Sequence, residues 1–84
     1  MDDYLTLGFF DIQMQVEDAT IKDIKVFTDC LYPSLVDDIS RGLKGKPYRS
    51  EAVKQVFTPL KNTYADITAG VSELEQWLIK HIEI

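Results

Sequence analysis

The sequence predicts an all-α fold: an antiparallel helical hairpin with a long, kinked C-terminal helix and an N-terminal arm, in one small domain over residues 1–84. Three observations predict it. Val53, Phe57, Leu60, Tyr64, Ile67, Val71, Leu74 and Leu78 recur at steps of 4 and 3, the period of a helix that lays one narrow apolar stripe against a neighbour. Upstream, Ile21, Ile24, Phe27 and Leu31, then Leu35, Ile39 and Leu43, recur at similar helical spacing. Between these stretches, Gly42, Gly45 and Pro47 form the strongest turn signal in the chain.

Residues 1–18 form the arm. From Phe9 to Val16, Ile12, Met14 and Val16 alternate with Asp11, Gln13 and Gln15, which is the period of a strand. Phe9, Ile12 and Val16 also share a helical face, and an isolated strand would have no partner in a helical chain, so a short helix and a strand both stay open. Asp18 or Thr20 can cap a first helix over 19–43. Pro33 removes a backbone donor and biases Tyr32 away from helical angles, so that helix is broken there, with Ser34 able to cap its restart. Ser50, with Glu51 in the first turn, opens the second helix, 50–82. Pro59 costs the hydrogen bond to the Gln55 carbonyl, and Gly70 adds about 1 kcal/mol of helix penalty relative to alanine. The stripe passes both residues without changing phase, which favours one kinked helix over two. Such a rod, about 45 Å long, cannot be buried unless the rest of the chain folds back along it.

Composition sets outer bounds. Hydrophobic residues at 45% and charged residues at 27% describe an ordinary folded domain, so disorder throughout is excluded. Nine Lys and Arg against 14 Asp and Glu give a net charge of −5, which argues against a nucleic-acid surface, where clustered cations must neutralise phosphates. Cys30 stands alone, so no internal disulfide forms, which fits a reducing cytosol. No apolar run approaches the roughly 20 residues of a membrane span. Met1-Asp2-Asp3 lacks the basic start of a cleaved secretory signal. The expected localisation is cytoplasmic, with export by a route that needs no cleaved signal left open.

Residues able to carry chemistry are scattered. Cys30 and His81 lie in different segments, and a nucleophile–base pair needs both together, so Cys30 reads as a small packed hydrophobe. Asp37 and Asp38 are adjacent and point apart on a helix; with Asp2 and Asp3 they read as solvated faces, and no metal site is expected. The glycines make no phosphate-binding run, so no cofactor is expected. Trp77 beside the stripe reads as core or as an interface anchor. Tyr48 and Arg49 read as loop residues or as a recognition tip.

The turn carries a further pattern. Leu43-Lys44-Gly45, then Tyr48 and Ser50, then Phe57-Thr58-Pro59-Leu60 resembles the N-terminal targeting domain of LXG proteins, substrates of the bacterial type VII secretion system. More distantly it is similar to the small WXG-type hairpin proteins of that system. The similarity covers about residues 35–78. It implies a non-enzymatic helical targeting or partner module, paired with another small helical protein as a hetero- or homo-oligomer. The residues expected at that interface are Leu43, Gly45, Phe57, Leu60, Tyr64, Ile67, Leu74 and Trp77. A second reading, from size and charge, is a small acidic helical inhibitor or adaptor, phage- or island-encoded, that binds a host protein.

Overall fold

The structure, a computed structural model, describes residues 1–82. Among these residues the chain runs β1 (Asp2–Leu5), β2 (Gly8–Glu17), β3 (Thr20–Thr28), α1 (Pro33–Leu43), α2 (Ser50–Thr63), a 3-10 turn (Ala65–Ile67) and α3 (Thr68–Ile82). The strands form one antiparallel sheet in the order β1-β2-β3, and the helices cover one of its faces. The fold is therefore α/β, and the all-α hairpin expected above is corrected.

The arm at 1–18 is two strands. Met1 is tied to β2 at both backbone groups: its ammonium donates to the Ile12 carbonyl at 3.2 Å, and Ile12 N–H donates to Met1 O at 2.8 Å. The alternation seen from Phe9 onward is that of β2, with Phe10 and Ile12 buried under the helices. The partner that β2 seemed to lack is β3, in the stretch expected to start the first helix.

A β-bulge explains why β3 reads as helical. Gln15 pairs with Asp23, but Val16 pairs with Ile21, so Lys22 is an extra residue in β3. In a regular strand, residues three apart point to opposite faces; the insertion lets Ile21 and Ile24 both reach the core. That produces a spacing of three, which imitates a helix. Phe27 and Leu31, the rest of that supposed stripe, are exposed. The hairpin joining β2 to β3 turns through Asp18 (φ 52°) and Ala19 (φ 59°), a two-residue turn with both residues left-handed.

Pro33 starts a helix and does not break one. It occupies the first turn of α1, where its missing N–H would have no helical partner. Leu35, Ile39 and Leu43 then bury one face. Residues 44–48 run along the outer edge of β3. Gly45 N–H donates to Ile21 O at 2.7 Å, Ile21 N–H to Lys46 O at 2.8 Å, and Tyr48 N–H to Ala19 O at 2.8 Å.

The expected long helix over 50–82 is two helices. Pro59 lies inside α2, and the break falls at Tyr64 (φ −111°, ψ 50°). Thr68 N–H donates to the Ala65 carbonyl, and its hydroxyl lies within hydrogen-bond distance of the carbonyls of Lys61 (3.2 Å) and Ala65 (2.9 Å), with one proton to give at the break. The domain measures 36 × 22 × 22 Å, too short to hold a straight rod of about 45 Å. The stripe folds back on itself: Val53, Phe57 and Leu60 of α2 and Val71, Leu74 and Leu78 of α3 enter one core with the sheet. Gly70 is buried against the β1–β2 turn; a Cβ there would stand 2.7 Å from Leu7 Cδ2. The same turn is held by Thr6 N–H, which donates to Glu73 Oε1 at 2.7 Å. Among the described residues no helix is long and apolar enough to cross a membrane.

Ala19 carries a left-handed backbone that costs a non-glycine residue roughly 1–2 kcal/mol. Ala19→Gly should raise stability by about 0.5–1 kcal/mol, part of the gain being offset by glycine entropy in the unfolded chain. Urea unfolding of the two proteins measures it; an unchanged or lower midpoint would contradict the turn assignment.

Candidate functional site

The residues expected at an interface are placed by the structure as follows. Leu43, Phe57, Leu60, Leu74 and Trp77 are buried in the core of this chain, packed among Phe10, Ile12, Ile21 and Ile24 of the sheet. Tyr64 and Ile67 are half-buried at the α2–α3 break. Gly45 is exposed in the loop along β3, with φ +85° and open space where a Cβ would stand. The stripe is thus brought together, and what lies across it is the chain's own sheet and neighbouring helices.

The polar groups near the core are mostly tied to one another. Glu75, on α3, is 2% exposed and holds Lys61 of α2, with Oε1 and Nζ 2.6 Å apart. Tyr64 Oη lies 2.9 Å from both Ser34 Oγ and Asp38 Oδ2, bridging the break to α1. Arg41 pairs with Asp38 at 3.3 Å. His81 Nδ1 faces the Trp77 carbonyl at 2.8 Å; a carbonyl only accepts, so Nδ1 carries the proton. Cys30 lies just past β3, and His81 lies in the last turn of α3. Among the described residues no cluster of His, Cys, Asp or Glu is arranged to hold a metal ion.

Among the described residues, two shallow depressions stand out on the surface. One, about 240 Å³, sits over β2 and β3 among Gln13, Met14, Gln15, Asp23, Ile24 and Lys25. The other, about 270 Å³, lies at the start of α2 among Pro47, Arg49, Glu51, Ala52 and Gln55. Neither is a deep, apolar cleft of the kind that encloses a small ligand. The more distinctive surface is the sheet face turned away from the helices. It carries Tyr4, Phe9 and Phe27, with the Tyr4 and Phe9 ring centres 5.0 Å apart. None of these was singled out from the sequence as a surface residue. The alternation of Val26, half-buried, with Phe27, exposed, held the signal, but it is hidden beside the helical spacing of Ile21, Ile24 and Phe27.

Comparison with known proteins gives the chain a setting. A family model described as bacterial lipoate protein ligase C-terminus matches residues 1–78. A lipoate-protein ligase A of Bdellovibrio bacteriovorus is 49% identical over 84 residues, a match that covers 100% of this chain and 25% of that protein. A lipoate-protein ligase A of Psychrobacter cryohalolentis is 26% identical over 76 residues, covering 90% of this chain and 22% of that protein. The chain thus spans about a quarter of the length of the curated relatives it matches. These matches overturn the resemblance to LXG and WXG proteins, and with it the secretion module and its keywords. They give no support to the acidic inhibitor. The expectation of a non-enzymatic protein is corrected too, because the relatives are named as ligases.

The buried ion pair yields a stability test. Lys61→Met would leave the Glu75 carboxylate buried without its cation and should cost about 3 kcal/mol. Glu75→Gln should cost less, because Lys61 is partly open to water, and the double variant should recover part of the Lys61→Met loss. Denaturant unfolding of the four proteins measures the coupling; strictly additive losses would show that the pair does not act as a unit.

Proposed function

The chain belongs to the bacterial lipoate protein ligase C-terminal family, and from that premise we propose that it serves as the C-terminal domain of a lipoate-protein ligase, whether joined to the rest of the enzyme or supplied beside it. The observation that carries this reading is the match over residues 1–78 together with 49% identity along the whole chain to one such ligase.

Joining a carboxylic acid to a protein amine requires the acid to be activated and then kept from water until the amine arrives. In this reading the domain supplies shape and not a reacting group. Its ionisable side chains near the core support that role: Glu75 is neutralised by Lys61, and His81 is committed to the Trp77 carbonyl. The partner this function asks for is the larger part of the ligase, and the setting is the cytoplasm, which a lone reduced Cys30 suits.

Replacing the matched quarter of the Bdellovibrio bacteriovorus ligase with this chain tests the proposal. The chimera should attach lipoate to an acceptor protein at a rate within about tenfold of the parent enzyme, while removal of the quarter should lower it further. A folded chimera with no more activity than the shortened enzyme would overturn the reading.

A further inference from the structure

An antiparallel sheet covered by helices on one face normally turns polar side chains outward on the other. This sheet does so along Gln13, Gln15, Asp23 and Lys25, but its other end carries aromatic rings. Tyr4 is 80% exposed and Phe27 55% exposed, with Phe9 half-buried between them. The register makes them neighbours. Tyr4 stands opposite Phe9 on β2, and Phe27 stands opposite Asp11, two residues along from Phe9 on the same face. Tyr4 and Phe9 therefore pack together, and Phe27 lies diagonal to Phe9 on the same face, all three held on strands and not on a loop. Exposed aromatic clusters of this kind are enriched at protein interfaces.

The same face carries a charge that calls for a partner. Asp2 and Asp11 stand directly opposite each other across β1 and β2, and like charges in that position repel. Among the described residues neither has an ion-pair partner. A surface fitting this patch would be apolar, with a cation beside it.

The comparisons name a larger protein of which the matched relative's segment is a part. The family description places the match at the C-terminus of the ligases, so the remaining three quarters of the Bdellovibrio protein precede it. The match reaches residue 1, so the relatives' preceding chain arrives at the position of Met1, next to Asp2 and close to Tyr4. That chain joins beside β1, the strand that carries Tyr4.

We propose that the outer sheet face, built on Tyr4, Phe9 and Phe27, docks the larger part of the ligase, through an apolar surface with a lysine or arginine set against Asp2 and Asp11. This rests on the reading of the chain as a ligase domain. The chimera with the Bdellovibrio ligase separates the two ideas. Hydroxyl-radical labelling read by mass spectrometry should find Tyr4 and Phe27 several-fold less reactive in the chimera than in the isolated chain, with Val16 unchanged. In the chimera, Tyr4→Ser with Phe27→Ser should lower lipoate attachment by about tenfold or more, as when aromatic anchors are lost, without changing the melting temperature. Val16→Ser, at an exposed apolar position on the opposite face, should leave the rate alone. Protection decides the docking face and activity decides the ligase reading. An active chimera with Tyr4 and Phe27 as reactive as in the isolated chain overturns the docking proposal alone. An isolated chain that dimerises with Tyr4 protected assigns the face to a second copy and also overturns it.

Discussion

One extra residue, Lys22, determines which way the far end of the sheet faces. Without it, either Ile21 or Ile24 would point to solvent, because strand side chains alternate. With it, both enter the core, and the strand bends enough to meet the segment after α1. The pairing of Ile21 with Gly45 and Lys46 follows from that bend. The loop between the end of α1 at Leu43 and the start of α2 at Ser50 is laid along that strand edge. Leu43 and Val53, on either side of that loop, are both fully buried. A local insertion in a strand thus sets the seating of two helices.

Much of the core was legible in the sequence, and the chain's path through it was not. The residues of the 3–4 stripe from Val53 to Leu78 are core residues or lie at its margin, because hydrophobic spacing reports burial directly. Spacing does not report where a helix stops. The break at Tyr64 has no glycine or proline to announce it, while Pro59, which looks like a break, is accommodated within α2. The sheet was missed for a related reason. β2 has clean alternation, but its partner β3 is masked by the bulge, and the turn between them is Asp18-Ala19 where a glycine would have marked a hairpin. Once β3 was read as a helix, β2 had nothing to pair with.

The false family resemblance has a physical origin as well. A leucine closing a buried helix face, a glycine free to take a positive φ, and a serine opening the next helix are a general way to join two helices. Leu43 and Gly45 meet those local demands, whereas Ser50 is the first residue of α2, behind Arg49, and its expected capping bond is not made. Such a pattern describes a joint, and joints recur on unrelated folds. The candidate surface was invisible at that level, since Tyr4, Phe9 and Phe27 become neighbours only through strand register.

The contact between Gly70 and Leu7 couples positions far apart in sequence by volume alone. There is no room at residue 70 for a side chain while leucine holds the turn. A relative that gains bulk at one position must surrender it at the other, because close-packed interiors tolerate exchange of volume far better than its addition. Across the family this should appear as reciprocal covariation between a small-residue helix position and an apolar turn position. Lengthening the turn would be permitted only where the helix also recedes. This two-residue loop is therefore held to its length and bulk by a helix, although loops elsewhere usually vary most.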